Sequence, residues 1–518
     1  MKDGVLIGID AGTSVIKSVA FTTTGEQIAA AAIPNRYTTA ADGAAEQDMA
    51  RTWADAAATL KELSEKIPNL TERLIAISVT GQGDGMWLID EAGEPVAPAW
   101  LWLDARSAAI TEAFAASTDY PAHYKRTGTG VNACQMSMQL VWMTRNRPEV
   151  LARATTAFHC KDWLYFKLTG ARRTDPSEAN FTFGQYATRS YAPDVLDVLG
   201  ASDSKRLLPE MVEGTQIAGR LAPEAAALTG LKAGTPITLG YVDVLCTGLG
   251  GGLYDPKGET GCTIVGSTGM HMKIAPSAAH VKLNAELSGY TMCFPVPGMY
   301  AQIQSNMAST LNIDWLLDVG RDVLASQGME RSRGDLLKGL DERILKAEPA
   351  RALFHPYISQ AGERGPFMEP AARAMFSGLE LGMGFADMMR GVFEGLCFAS
   401  RDCYSAMGEI PREVRVTGGA ARSQALRLML ASVLKARIRS VKREEAGAAG
   451  AAMMAAVQQK LYPDMDSCVA EWVDPLLGSV TEPDASLMPR YDGAFAIYKE
   501  TREKMRPLWR AMVSHRAS

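Results

Sequence analysis

The sequence predicts an α/β protein built from two similar halves around a central cleft. Two apolar strands joined by a small-residue turn open the chain, and the same strand–turn–strand pattern returns in the second half from Gly261. In each half a further strand ends in a Thr-Gly pair, at Thr80 and at Thr417. Segments with a helical repeat of apolar residues separate these strands, which is the element order of an α/β fold.

The first half begins with a hairpin. Residues 5–9 form a predicted buried strand, residues 10–14 (Asp-Ala-Gly-Thr-Ser) a turn, and residues 15–21 a second strand. A helical repeat follows over residues 48–63. Residues 74–79 form the next predicted strand, which runs into Thr-Gly-Gln-Gly-Asp-Gly. Polar, glycine-rich turns therefore stand at the ends of buried strands.

The second half follows the same plan. Strands are predicted at residues 261–265 and 270–274, on either side of the turn Gly-Ser-Thr-Gly, and at residues 414–416 before a helix. The repetition indicates a duplication. We place the boundary near residue 250, with residues 1–250 and 251–518 as the two domains, because the glycine-rich residues 248–252 would provide a flexible joint.

Composition and charge exclude several classes of protein. The 518 residues are 47% hydrophobic and 21% charged, so the chain can bury large cores and is not disordered as a whole. A formal net charge of −5 without a basic block argues against general nucleic-acid or anionic-membrane binding. No apolar run is long enough for a membrane helix, and the start does not resemble a signal peptide, so we expect a cytoplasmic protein.

Motif absences narrow the chemistry further. The eight cysteines are scattered without a Cys-x-x-Cys pair, and no His-Glu-x-x-His occurs, which favours reduced thiols and disfavours a metal cage. The P-loop, the Gly-x-Gly-x-x-Gly dinucleotide fingerprint and the Gly-x-Ser-x-Gly elbow are also missing. A P-loop kinase, a Rossmann dehydrogenase and an elbow-type hydrolase are therefore disfavoured.

The two small-residue turns are candidate phosphate-binding sites. Their backbone N–H groups and hydroxyls can bind phosphate, and Asp10 could hold Mg²⁺ directly or through water. Each could instead be an ordinary turn, but one such turn per half is what clamping a nucleoside triphosphate requires. The candidates are Asp10, Gly12, Thr13, Ser14 and Lys17 in the first half, and Gly266, Ser267, Thr268 and Gly269 in the second.

A second glycine turn in the second half is a candidate adenine site. A strand runs into Gly418, Gly419 and Ala420 and then into a helix near Ser423, and such a corner lets a flat ring lie against the backbone. The small residues 445–452 indicate a closely packed helix, and packing without any ligand explains them equally well.

Acceptor-side candidates cluster after the strands of the first half. Asp243, in an apolar, strand-like stretch, could accept a proton from an attacking hydroxyl, or it could be a helix cap or a structural carboxylate. Gln82 and Asp84 could bind a polyhydroxylated substrate, with Gly83 leaving space between them. Trp102 could form an apolar wall, whereas Arg106 is expected in a surface salt bridge.

Taken in order, these segments resemble the FGGY family of carbohydrate kinases, within the actin-like ATPases, over nearly the whole chain. The resemblance covers both phosphate turns, the turn around Gln82, Asp243 and the Gly418–Gly419 turn. Further similar stretches are residues 46–48, 161–170, 354–357, 363–364 and 390–395. One such motif is weak, but the ordered set is specific.

The resemblance implies two ribonuclease-H-like domains that close on their ligands. It implies a sugar or polyol bound by the first domain, Mg-ATP bound by the second, and Asp243 as the base that deprotonates a terminal hydroxyl. The expected partners are ATP and this small molecule, without nucleic acid or membrane, and a homodimer is compatible with the sequence.

The acceptor is expected to be a four-carbon polyol. Gly83 and Asp84 stand where pentulose kinases commonly carry Met-His and glycerol kinases Arg-Glu, and the turn is most similar to that of family members acting on erythritol. The alternative acceptor is a ketopentose of the xylulose or L-xylulose type. A different class, an actin-like ATPase without a small acceptor, is disfavoured by the polar turn at Gln82 and Asp84.

Overall fold

The computed structural model describes residues 3–517, and each half of the chain is organised around one large β-sheet. The strands of the first half are β1 (Val5–Ala11), β2 (Val15–Thr22), β3 (Gln27–Pro34), β4 (Thr38–Thr39), β5 (Ala45–Gln47), β6 (Leu74–Gly81), β7 (Trp87–Ile89), β8 (Ala99–Trp100), β9 (Thr156–Phe158), β10 (Arg173–Thr174), β11 (Gly184–Gln185), β12 (Ser190–Tyr191), β13 (Glu210–Met211), β14 (Ala218–Arg220) and β15 (Pro236–Leu239). Its helices are α1 (Met49–Lys66), α2 (Leu70–Arg73), α3 (Ala108–Ala115), α4 (Tyr120–Thr127), α5 (Met136–Asn146), α6 (Pro148–Arg153), α7 (Cys160–Thr169), α8 (Pro176–Phe183), α9 (Pro193–Val198), α10 (Pro223–Thr229) and α11 (Asp243–Gly250).

The second half has fewer strands and longer helices. Its strands are β16 (Thr260–Val265), β17 (Gly269–Ala275), β18 (Tyr290–Cys293), β19 (Tyr300–Asn306), β20 (Leu353–His355), β21 (Met375–Ser377), β22 (Glu413–Thr417), β23 (Arg437–Val441) and β24 (Leu477–Thr481). Its helices are α12 (Thr310–Ser326), α13 (Arg333–Leu337), α14 (Leu340–Lys346), α15 (Phe385–Ala406), α16 (Gln424–Leu434), α17 (Ala446–Gln458), α18 (Met465–Trp472) and α19 (Met488–Ala517). Among residues 3–517, none of the helices combines the length and the apolar character that a bilayer crossing requires.

The two large sheets share the same central pattern. In the order β14-β15-β6-β1-β2-β3, strand β1 pairs antiparallel with β2 and parallel with β6. In the order β18-β19-β17-β16-β22-β23-β24, strand β16 pairs antiparallel with β17 and parallel with β22. Each hairpin therefore presents its turn at the same edge as the end of the parallel strand, and the predicted repeat of the α/β plan is confirmed.

Strand β1 is central because its sequence is apolar on both faces. Val5, Leu6 and Ile7 have no exposed side-chain surface, and β1 pairs with a neighbour on each edge. Helix α1 covers one face of this sheet, with Trp53, Leu60 and related apolar residues buried. Asp48 caps its N-terminus, and the Asp48 side chain accepts the Arg51 N–H.

The glycine-rich residues 248–252 do not form the flexible joint that the sequence predicts. Gly248 and Gly250 lie in helix α11 and are buried. A β-carbon on Gly250 would lie 2.1 Å from the Ala446 carbonyl oxygen, and one on Gly450 would lie 2.0 Å from that of Cys246. The glycines are there because α11 and α17 pack backbone against backbone.

Helix α17 also joins the second half to the first sheet. It contacts both β1 and β6, and a β-carbon on Gly8 would lie 2.0 Å from the Ala448 carbonyl oxygen. Tight helix packing therefore explains the small residues 445–452, and no ligand is needed to account for them.

Candidate active site

A cavity of about 310 Å³ lies between the two halves. It opens at the edge where β1, β6 and the β16–β17 hairpin end, because parallel strands bring their carboxyl ends together. The residues that line it are Thr13, Gln82, Gly83, Asp84, Trp102, Cys134, Phe181, Val242, Asp243 and Val244 from the first half, and Thr268, Met270, Tyr290, Met292, Ile303, Ser305 and Arg364 from the second. All four predicted acceptor-side residues and Asp243 therefore meet in one place.

Asp243 is the first residue of helix α11, so the strand predicted around it is wrong. The carboxylate is half-buried in the cavity wall. Burial raises the pKa of Asp243 well above its ordinary value, and the nearby carboxylates of Asp10 and Glu178 raise it further. A carboxylate with an elevated proton affinity that faces a cavity is suited to accept a proton from a bound hydroxyl.

Asp10 lies near the end of β1 and is half-buried. Burial raises the pKa of Asp10 to about 6, and Lys17 opposes that rise while Glu445 adds to it. Helix α17 comes so close that a β-carbon on Gly447 would lie 2.3 Å from Asp10 Oδ2. The carboxylate is thus held against a helix that belongs to the other half.

Lys17, predicted to bind phosphate near the first turn, forms an ion pair with Glu445. Its Nζ lies 2.9 Å from Glu445 Oε2, so the ion pair links the first hairpin to the residue that precedes α17. The remaining predicted phosphate residues of this turn differ in exposure: Gly12 and Thr13 are half-buried, and Ser14 is exposed.

Thr13 belongs to a hydrogen-bond chain on the acceptor side. Its hydroxyl donates to Gln82 Oε1 at 3.0 Å and accepts the Trp102 indole N–H at 2.8 Å. Gln82 Nε2 donates in turn to Gln47 Oε1 at 2.9 Å. This chain fixes the Trp102 ring, 40% exposed, at the cavity wall.

Asp84 has a strained backbone and an incompletely bonded carboxylate. Its φ of +55° lies in the left-handed region, which Asp tolerates better than most side chains. Its N–H donates to Glu178 Oε1 at 2.8 Å, and Oδ2 accepts the Cys134 thiol at 3.4 Å. Oδ1 is buried without a hydrogen-bond partner among the described residues, so a ligand hydroxyl could satisfy it.

The close approach of Val242 requires a glycine at position 83. A β-carbon at this position would lie 2.5 Å from Val242 Cγ2, directly before Asp243. The missing side chain therefore lets the acceptor turn pack against the start of α11, besides leaving space for a ligand.

The second phosphate turn connects β16 and β17. Ser267 and Thr268 are exposed, and Thr268 lines the cavity. The carbonyl oxygens of Gly266 and Ser267 accept the N–H groups of Thr310 and Ser309 at 3.0 and 2.8 Å, so the start of α12 holds the turn.

The predicted adenine turn lies beside the second phosphate turn. Gly418 has a φ of +95°, and a β-carbon there would lie 2.4 Å from the Val265 carbonyl oxygen at the end of β16. Gly418 and Gly419 are exposed. Ser423, which was also predicted for this site together with Ala420, precedes helix α16. Its hydroxyl accepts the Leu426 N–H at 3.1 Å and donates to Asp341 at 2.8 Å, so it is already engaged in hydrogen bonds within the protein.

Arg106 is not in the surface salt bridge that the sequence predicts. Its side chain is only 5% exposed and lies 2.6 Å from Asp104 Oδ2 and 2.8 Å from Glu46 Oε1. The guanidinium also stacks on Trp100, 3.4 Å from the ring centroid. The buried ion pair between Arg106 and Asp104 stabilises the segment that carries Trp102.

Sequence reasoning missed a buried charged cluster beneath Asp84. Lys161 is fully buried and its Nζ lies 2.8 Å from Asp162, 2.5 Å from Asp175 and 3.0 Å from Glu178. Burial raises the pKa of Glu178 to about 7, with His159 and Lys161 opposing the rise. The only sequence signal was the family-like stretch at residues 161–170, which pointed to no role for Glu178.

The acidic pair of Asp10 and Asp243 fits a bound magnesium ion. The two carboxylates are close enough for Asp10 to raise the pKa of Asp243, and a cation would relieve that repulsion. Mg²⁺ prefers oxygen ligands and is commonly bound by one or two carboxylates together with substrate phosphates.

Comparison with known proteins decides the family. Residues 5–250 match the N-terminal domain of the FGGY family of carbohydrate kinases, and residues 261–459 match its C-terminal domain. The chain belongs to this family. It is therefore a carbohydrate kinase, an enzyme with ATP as the phosphoryl donor, as the resemblance implied.

Relatives of this FGGY kinase match it over nearly their full length. An erythritol kinase of Brucella abortus is 50% identical over 513 residues, covering 99% of this chain and 98% of the relative. A xylulose kinase of Escherichia coli is 26% identical, covering 98% and 99%. The crystal structure of a gluconate kinase from Lactobacillus acidophilus superimposes with a TM-score of 0.88 at 21% identity, covering 98% and 99%, and shares the two-domain fold.

Proposed function

We propose that this enzyme transfers the γ-phosphate of ATP to a terminal hydroxyl of erythritol. The proposal rests mainly on one observation: Asp243 lies in the wall of a cavity whose other polar groups can bind hydroxyls. The 50% identical relative that is named erythritol kinase supports the choice of acceptor.

Asp243 is proposed as the general base. An acceptor hydroxyl placed against it would give up its proton to the carboxylate while its oxygen attacks the γ-phosphorus and the bond to ADP breaks. The elevated proton affinity of this carboxylate favours that transfer, and the apolar residues Phe181, Val242 and Met292 exclude water that would otherwise take the phosphoryl group.

The nucleotide is proposed to bind mainly to residues 251–518 and the acceptor to residues 1–250. The turns at Gly266–Gly269 and Gly418–Gly419 share one edge of the second sheet, because Gly418 contacts the last residue of β16. A triphosphate reaching from this edge would meet Asp10 and the first turn, where Asp10 would hold Mg²⁺ and leave Asp243 free to act as the base. The ion would neutralise charge on the transferring phosphoryl group.

The polarity of the acceptor wall favours a polyol over a ketose. Asp84 offers a carboxylate oxygen without a partner, and a carboxylate binds a hydroxyl, which can donate, but repels a carbonyl oxygen, which cannot. A fully reduced four-carbon chain presents a hydroxyl on every carbon, whereas the xylulose-type alternative places a carbonyl at its second carbon.

The test is a measurement of ADP release with erythritol, glycerol, D-xylulose and L-xylulose as acceptors. We expect the highest kcat/KM with erythritol and phosphate on a terminal carbon, identified by NMR of the product. A higher kcat/KM with either ketose would overturn the polyol assignment. ATP turnover that no polyol or sugar changes would overturn the acceptor site itself.

A further inference from the structure

Arg364 is a charged residue of the acceptor cavity that comes from the opposite half of the protein. Of the described residues that line the cavity, it is the only cation, and it shares the cavity wall with the first-half carboxylates of Asp84 and Asp243. Arg364 and Asp84 attract each other electrostatically without a direct ion pair between them in the described part of the chain. Both side chains line the same cavity, so a ligand bound there could contact both.

The loop that carries Arg364 is held firmly. Arg364 Nη2 donates to Ser305 Oγ at 3.0 Å, and its backbone N–H donates to the buried carboxylate of Glu363 at 2.8 Å. Asn306 Nδ2 donates to the Gly365 carbonyl oxygen at 2.7 Å. Ser305 and Asn306 end strand β19, so the guanidinium is fixed to the second sheet.

Strand β19 is also next to the second phosphate turn. In the β17–β19 pair, Gly269 lies opposite Asn306 and Met270 opposite Ser305. The same strand end therefore positions the phosphate turn and the Arg364 loop.

Both charged groups have unused hydrogen-bonding capacity. Arg364 Nε is buried and has no partner among the described residues, and Asp84 Oδ1 is in the same condition. Buried donors and acceptors without partners are costly, and one ligand that offers an acceptor to the arginine and a donor to the carboxylate would satisfy both. A vicinal diol does so, because each hydroxyl can donate and accept.

We propose that Arg364 and Asp84 bind neighbouring hydroxyl groups of the acceptor from opposite halves of the protein, with Arg364 as donor and Asp84 as acceptor. The inference rests on the proposed phosphorylation of a polyol, and it makes Arg364 a specificity-determining residue. Acceptor binding would then connect the two halves through the substrate.

The test compares Arg364→Met with the wild-type enzyme on erythritol and on 1,2,4-butanetriol, which lacks one inner hydroxyl. We expect the KM for erythritol to rise by about ten- to a hundredfold in the variant, with the KM for ATP changed by less than about threefold. The preference for erythritol over the triol should shrink by a similar factor, since the variant no longer recognises the second hydroxyl. Arg331→Met, at an exposed arginine of the same half, is the matched control and should behave as wild type.

Several outcomes would overturn the inference. An unchanged preference for erythritol over the triol in Arg364→Met would mean that Arg364 does not contact the diol, and equal rises in both KM values would give it a purely structural role. Arg364→Lys keeps the charge but replaces the planar fork of donor nitrogens by a single ammonium group, so it should lose part of the preference. It decides the question if Arg364→Met does not fold. The wild-type acceptor screen tests a different point. Failure with erythritol but success with another polyol would refute the proposed acceptor. The KM of Arg364→Met for that other polyol would then still test whether Arg364 binds its hydroxyls.

Discussion

Gly447 in helix α17 lies directly against Asp10 of strand β1, since a β-carbon at Gly447 would be 2.3 Å from Asp10 Oδ2. The second half of the chain thus sets the position of a carboxylate that the first half supplies.

Gly447→Ala should therefore displace Asp10 and impair catalysis. A shift of this carboxylate by about an ångström should lower kcat on the order of 10²-fold and raise the Mg²⁺ concentration that gives half-maximal rate. Steady-state kinetics over a Mg²⁺ titration measure both. Gly493→Ala in α19 is the control, because a β-carbon there meets nothing within 4 Å; it should leave activity unchanged and raise the melting temperature. Wild-type Mg²⁺ dependence in Gly447→Ala would contradict the prediction.

Asp243→Asn keeps the size of the side chain and removes the proposed base. The expected loss in kcat is roughly 10²–10⁴-fold, the usual contribution of a positioned base, while calorimetry should show that ATP still binds. Asp203→Asn, at an exposed acid of the same half, should leave kcat unchanged. Near-normal kcat in Asp243→Asn would remove Asp243 from this role.

Gly83→Ala should push Val242 and disturb the start of α11, because the new β-carbon would lie 2.5 Å from Val242 Cγ2. Overpacking of this kind costs about 1–3 kcal/mol, and we expect kcat/KM for the acceptor to fall about tenfold or more. The double variant Gly83→Ala/Val242→Ala restores the space and should recover most of that loss. Failure of the double variant to recover, with Val242→Ala alone active, would show that Gly83 acts through the ligand and not through Val242.

Glu178 should make the stability of the ligand-free enzyme depend on pH. Because the folded protein holds its pKa at about 7, above the ordinary 4.5, the folded state binds the proton more tightly than the unfolded state. Its contribution to stability is fully present below about pH 4.5 and is lost as the pH rises through about 7. The titratable groups close to it are Asp84, His159, Cys160, Lys161, Asp162, Asp175 and Asp243.

Glu178→Gln removes this titration and keeps an oxygen that can accept the Asp84 N–H. Between pH 5 and pH 8 the free energy of unfolding should decline less in the variant than in the wild type, by on the order of 2–3 kcal/mol. Urea denaturation at the two pH values measures the difference. Glu224→Gln, at an exposed glutamate of α10, is the control, and parallel declines in wild type and Glu178→Gln would refute the prediction.

The central strands could be predicted from the sequence because buried strands are continuous apolar runs. Strands β1, β6, β16 and β22 lie within two residues of their predicted bounds. The flexible joint predicted from the glycines at 248–252 is wrong because the absence of a side chain permits flexibility and close packing alike. Only the position of α17 distinguishes the two.

The candidate site could be predicted from the sequence where a reactive or polar residue stands in a turn at the end of a buried strand. Asp10 lies near the end of a buried strand, Gln82 and Asp243 follow shortly after two others, and the structure brings these strand ends to one edge. Glu178 and Arg364 could not be found in this way, because their roles depend on contacts with residues far along the chain: Glu178 bonds to Asp84, 94 positions away. In a single sequence a charged residue on a helix or loop is indistinguishable from a solvent-exposed one.

Helices α11 and α17 meet through main-chain atoms, with Gly450 against Cys246 and Gly250 against Ala446. Asp243 begins one of these helices and Gly447 of the other abuts Asp10, so contacts between peptide groups set the separation of the two backbone positions that carry these carboxylates. Thermal exchange of side chains in the surrounding core therefore leaves that separation unchanged. The walls of the acceptor cavity can accordingly diverge among relatives that use different substrates while the spacing needed for phosphoryl transfer stays constant.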